Sequence, residues 1–173
     1  MLRRSIAPFV KGAALLAALS TAVLAEGAVE LPQRKAGLWE LKTVMDEGDK
    51  GPRNESLTMC VEAEMERNTV RASIEEHKSN CTKYSVTREG GMTKVDAACD
   101  YNGRHVDSVT EMSGDFQTAM LVKIESTTSG MEKSQSITVK RTITQNGKYL
   151  GESCGDLEPG EAKSPDGTKV MVQ

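Results

Sequence analysis

The chain predicts an α+β fold that is mostly β: a curved antiparallel meander of about seven or eight strands with one broken helix or two short helices. Three observations predict it. Residues 81–154 alternate apolar and polar side chains between tight-turn signals at Gly90-Gly91, Asn102-Gly103, Ser113-Gly114-Asp115 and Asn146-Gly147. The pairings those turns imply set apolar residues opposite apolar residues. A single stretch, 62–78, carries helix-forming composition.

The N-terminus is set aside first. Arg3, Arg4 and Lys11 form a positive region, residues 12–24 are apolar but too short to span a bilayer, and Val23-Leu24-Ala25 supplies small cleavage residues. Residues 1–25 read as a secretory signal peptide cut after Ala25, with Ala28 as a second choice, and the general secretory route is expected. No cysteine stands directly after the cut, so no lipid attachment is expected there. Its removal takes the formal net charge from −3 to about −6. A domain this acidic suits neither nucleic acid nor an anionic membrane surface, and no stable membrane insertion is expected after cleavage.

What remains is right for one domain, 26–155, with a C-terminal tail at 156–173. Its core is poor in aromatics: Trp39, Tyr84, Tyr101, Phe116 and Tyr149 are the only ones after the signal, so methionine and aliphatic side chains fill the rest.

In chain order, 31–36 is an extended entry segment. Residues 37–44 form a half-buried strand with Trp39, Leu41 and Thr43 on one face and Glu40 and Lys42 on the other. Residues 46–54 form a loop, and 56–61 a second strand with Leu57, Met59 and Val61 on its apolar face. In the helical stretch 62–78 the β-branched Thr69-Val70 pair interrupts, and Ser73 is placed to cap a second turn.

In the meander, a two-residue turn at Gly90-Gly91 sets Val86 opposite Val95 and Tyr84 opposite Ala97. The Asn102-Gly103 turn sets Cys99 opposite Val106 and Lys94 opposite Glu111. At 113–115 a three-residue loop is expected, pairing Met112 with Phe116 and Val106 with Val122. A turn near Ser129-Gly130 follows. Ile137, Val139 and Ile143 then face inward on a long strand, and Asn146-Gly147 returns the chain so that Leu150 meets Ile143 and Glu152 meets Arg141. The opposite face is polar throughout, which describes a sheet with one wet side. Residues 156–173 hold Pro159, Gly160, Pro165 and Gly167 and read as a mobile tail, within which 169–172 is able to add a short edge strand.

All four cysteines, Cys60, Cys81, Cys99 and Cys154, lie in the exported part and read as two disulfides, for which three connectivities exist. Their spacing does not fit a zinc site.

Four short motifs follow one another in order: Gly37-Leu38-Trp39-Glu40 after the signal and a proline; Thr58-Met59-Cys60-Val61 before an acidic helix; Cys81 and Cys99 flanking a hairpin; and Gly147-Lys148-Tyr149-Leu150-Gly151 leading to Cys154. In these the chain resembles the domain of unknown function 3617 family of exported bacterial proteins, over about residues 31–154. Ala36 departs from the proline usual there. The resemblance implies export and a β-rich domain, and no known reaction. It also favours pairing Cys81 with Cys99 and Cys60 with Cys154. Because the Gly90-Gly91 turn places Thr82 opposite Cys99, the first pair calls for a bulge in 81–88.

No catalytic, cofactor or metal constellation stands out. His77 sits at a helix C-terminus and His105 opposite Asp100, neither with a nucleophile identifiable nearby. Glu62, Glu64, Glu66, Glu75 and Glu76 lack the loop spacing of a calcium site and read as a solvated helical face. No phosphate-cradling glycine loop is present, so no cofactor is expected. Trp39 reads first as a core anchor. The sharper expectation is an apolar pocket lined by Trp39, Met112, Phe116 and Met120, because a curved sheet against a helix encloses apolar volume. The function expected is a non-enzymatic periplasmic or secreted binding or interaction module for a small apolar ligand or an envelope protein. The alternative is a structural or stress-related envelope protein without a ligand.

Overall fold

A computed structural model describes residues 30–48, 51–132 and 134–172. The signal-peptide reading of 1–25 lies outside them. Among the described residues nine strands form one antiparallel sheet: β1 (Gly37–Asp46), β2 (Arg53–Val61), β3 (Cys81–Glu89), β4 (Met92–Tyr101), β5 (Arg104–Gly114), β6 (Ala119–Glu132), β7 (Gln135–Gly151), β8 (Glu161–Lys163) and β9 (Lys169–Met171), with α1 (Ala63–Asn80) between β2 and β3. Their spatial order is β3-β4-β5-β6-β7-β1-β2-β8-β9. The meander is therefore β3 to β7, and two hairpins extend it on the β7 side.

The sheet is coiled, and α1 explains why. Val61 ends β2 and Cys81 opens β3, six strand positions away and at opposite ends of the strands. In a flat sheet those points would stand about 29 Å apart across the strands and about 40 Å along them. The 18 residues of α1 cover only about 27 Å. The sheet must curl to let so short a helix join them.

The helix is continuous, where a broken helix or two short ones was expected. Glu62 caps it, its carboxylate accepting from the N–H groups of Glu64 and Met65 at 2.9 Å each. Each β-branched residue at 69 and 70 costs only about 0.5 kcal/mol of helix propensity. Tertiary ties outweigh that: Arg34 holds the first turns through Glu66, and His77 packs on Tyr84 in the last, with ring centroids 5.3 Å apart. Ser73, expected as a cap, lies mid-helix.

Register agrees with expectation through the first two hairpins. Val86 meets Val95, Tyr84 meets Ala97, Cys99 meets Val106 and Lys94 meets Glu111. Cys81 bonds to Cys99 across a register shift between Cys81 and Lys83, which is the bulge the pairing required. Cys60 bonds to Cys154 and ties β2 to the chain leaving β7.

Beyond β5 three expectations are corrected. Met112 pairs with Val122, not Phe116, and Val106 with Thr128, not Val122. The connecting loop is longer because Asp115 organises it: its carboxylate accepts from the N–H groups of Gln117 (2.9 Å), Thr118 (2.7 Å) and Ala119 (3.1 Å) and from the Thr118 hydroxyl (2.8 Å). Phe116, with φ +56°, is thereby turned into the core. Ser129-Gly130 is not a turn, since β6 runs on until Glu132 pairs with Gln135. Asn146-Gly147 is not a turn either, because β7 passes straight through it.

The segment expected as a mobile tail carries β8 and β9. Met59 pairs with Ala162 and Thr58 with Lys163, and Ala162 is fully buried in the core. β9, expected as an optional edge strand, pairs with β8, bringing the strand number to nine.

Candidate functional site

The inner face of the sheet divides into a closed part and an open part. The closed part gathers Trp39, Leu41, Met59, Val61, Phe116, Met120 and Ala162 into one buried cluster, with Leu57, Met112, Val122 and Tyr149 against it. All four residues expected to line an apolar pocket meet here, from β1, β5, the β5–β6 loop and β6. They meet as packing: Trp39 is 0% exposed, and its ring stands edge-on to Tyr149 at 5.6 Å.

The entry segment seals this part. Trp39 Nε1 donates to the Lys35 carbonyl (2.8 Å), the Lys35 N–H donates to the Phe116 carbonyl (2.8 Å), and the Tyr149 hydroxyl donates to the Ala36 carbonyl (3.3 Å). Lys35 Nζ lies 4.5 Å above the centre of the Tyr149 ring. Arg34 donates to Glu66 from its backbone N–H (3.1 Å), Nε (3.0 Å) and Nη2 (2.6 Å). Glu66 is 5% exposed, so it does not belong to a solvated acidic face as expected.

The open part continues along β5, β6 and β7. Register puts Val106, Thr110, Ile124, Thr128, Ile137, Val139 and Ile143 on the same face as Met120 and Val122. The helix packs against β3 and β4. Val106, Ile124, Ile137 and Ile143 are only half-buried, and Val139 is 37% exposed. Alternation alone puts Ile137, Val139 and Ile143 on the inward face, and the register agrees. That this stretch lies beyond the helix's reach depended on strand order, which alternation does not carry.

Residues 34–154 match the family model described as protein of unknown function (DUF3617). The chain belongs to the domain of unknown function 3617 family. Its matched region opens at Arg34, which is held by Glu66, and closes at Cys154, which is bonded to Cys60. Both disulfides and strands β1 to β7 of the DUF3617 domain lie inside that match, and β8 and β9 lie beyond it. Neither the curated proteins nor the solved structures offer a match.

The polar face of this DUF3617 domain has a shallow depression of about 420 Å³, crossed by β3 to β7 and lined by Lys83, Asp96, Asp107, Glu125 and Lys140 among others. His105 stands nearby at the β4–β5 hairpin, its Nδ1 2.9 Å from Asp100 Oδ1 and its Nε2 3.5 Å from Asp107 Oδ2. The hydrogen bond to Asp100 leads in raising its pKa above the ordinary imidazole value, and Asp107 adds to it. His77 Nδ1 is 2.6 Å from the Ser73 carbonyl one helical turn back. Among the described residues no group of three or more His, Cys, Asp or Glu side chains is arranged to hold a metal ion. No helix among them is long and apolar enough to cross a membrane.

Proposed function

We propose that this domain acts outside the cytoplasm, in the periplasm or after secretion, as a non-enzymatic binding module that holds a small apolar molecule against the inner face of β5, β6 and β7. Two disulfides in a chain without a free cysteine among the described residues support an oxidising location.

One observation carries the ligand reading. Five aliphatic side chains, Val106, Ile124, Ile137, Val139 and Ile143, share a face beyond the strands that α1 packs on, and all remain partly open to solvent. Covering apolar surface returns about 25 cal/mol per Å². A molecule laid on this face gains that without disturbing the packed cluster around Trp39. The hydroxyls of Thr110 and Thr128 on the same face offer orientation to a ligand with one polar end.

The test is solvent extraction and mass spectrometry of protein purified from the periplasm without detergent. The reading expects one recurrent apolar species near one per chain, lost in Val139→Lys, a change at an exposed position that leaves the fold intact. Extracts empty of any such species overturn the ligand reading and favour a structural envelope role.

A further inference from the structure

We infer that Asn102 is a site of spontaneous conversion to aspartate and isoaspartate, and that the fold confines this chemistry to it. The chain holds two Asn-Gly pairs, Asn102-Gly103 and Asn146-Gly147, and one Asp-Gly pair, Asp166-Gly167. In an unfolded chain the two Asn-Gly pairs are chemically equivalent.

The reaction is an internal substitution. The backbone nitrogen of the glycine attacks the side-chain carbonyl carbon of the preceding asparagine, forming a C–N bond and expelling ammonia. Water then opens the resulting five-membered succinimide at either carbonyl, giving aspartate or isoaspartate. Nothing is oxidised or reduced, and water is the only co-reactant. The step needs a glycine N–H that is free, a backbone able to rotate at the asparagine, and room for the ring.

Asn102-Gly103 meets all three needs. Both residues are exposed at the tip of the β4–β5 hairpin, with φ +50° and +75°. Among the described residues no hydrogen bond is donated by the Gly103 N–H. A β-carbon at Gly103 would meet nothing within 4 Å, so the space around the attacking nitrogen is open. Hairpin tips also open at little cost.

The other two sites fail for separate reasons. Gly147 lies inside β7, between Leu41 on β1 and Met120 on β6, so its N–H is taken up in the ladder. Rotating the backbone at Asn146 would break pairing and press on Met120, whose Cγ stands 2.6 Å from where a Gly147 β-carbon would be. At Asp166-Gly167 the attacking nitrogen already donates to the Ser164 carbonyl (2.9 Å), and the carboxylate accepts from the Thr168 N–H (3.0 Å). That carboxylate is also held ionised, chiefly by the same Thr168 bond, and a carboxylate is a poor acyl donor.

Conversion adds a carboxylate to a hairpin that already carries Asp100 and Asp107 around His105. The isoaspartate product also inserts a backbone methylene into the turn that closes β4 on β5.

The experiment incubates the full oxidised chain at mildly alkaline pH and follows both Asn-Gly peptides by mass spectrometry after digestion. A parallel sample is kept reduced and unfolded, and Asn102→Asp protein supplies the reference peptide. Native protein is expected to lose Asn102 roughly a hundredfold faster than Asn146, while the unfolded sample loses both at the same rate. Equal rates in the native protein, or faster loss at Asn146, overturn the inference.

Discussion

Met120 occupies the space that a β-carbon on Gly147 would need. Such an atom would fall 2.6 Å from Met120 Cγ, 2.8 Å from its Cε and 3.3 Å from Leu41 Cδ2. The glycine is therefore a packing residue in the middle of a strand, and β6, β7 and β1 close on one another through its missing side chain.

From this follows the first prediction. Gly147→Ala overpacks the core and lowers stability by about 1–3 kcal/mol, read as a fall in the urea midpoint. Met120→Ala alone costs about 2–5 kcal/mol as a cavity. Combined, the two changes cost less than their sum, because the new methyl fills part of the void.

The disulfides differ in reach. Cys60–Cys154 spans 94 residues of sequence and Cys81–Cys99 spans 18. Loop-closure entropy assigns the long link about 4.7 kcal/mol and the short one about 3 kcal/mol. Paired serine replacements, measured by denaturant unfolding, are expected to keep that order.

Arg34 and Glu66 bind the entry segment to α1 from largely buried positions. Arg34→Ala strips the guanidinium from a buried carboxylate and is expected to cost about 3–5 kcal/mol. Arg34→Met with Glu66→Leu restores apolar volume and recovers most of that loss in thermal unfolding.

Two exposed groups set opposite pH trends. His105 has a raised pKa, led by its hydrogen bond to Asp100, so its contribution is complete below the ordinary imidazole value and is lost as pH rises through the raised one. Asp100→Asn is expected to move the His105 NMR titration midpoint down, and Asp107→Asn to move it less. Asp115 has a strongly lowered pKa, led by the backbone N–H of Thr118, so its hold on the β5–β6 loop persists through mildly acid pH and fades only in strong acid. Asp115→Ala is expected to remove that acid limb from the urea midpoint measured against pH.

Local chemistry was legible in the residues, and long-range constraint was not. The Gly90-Gly91 and Asn102-Gly103 turns gave two registers and the bulge beside Cys81, because a two-residue turn fixes pairing by itself. At the next connection, pairing Met112 with Phe116 or with Val122 leaves the same residues on the inner face, so alternation could not separate them. The Asp115 side chain decides it. Asn146-Gly147 looks like a turn in isolation, and only contact with Met120 and Leu41 accounts for its glycine inside a strand. Ala162 gives no hint in a polar, proline-bearing segment that it docks on Met59. Trp39, Met112, Phe116 and Met120 come together as packed core, because the entry segment covers them through bonds to Lys35 and Ala36 that an extended stretch of sequence does not announce.

The open inner face is the centre of the functional account, and methyl NMR tests it most directly. A small apolar probe titrated into the native protein is predicted to shift the methyl signals of Val106, Ile124, Ile137, Val139 and Ile143 and to leave the Trp39 indole signal in place. Shifts that gather instead at Trp39, Met112 and Met120, or no saturable shift anywhere, would contradict it.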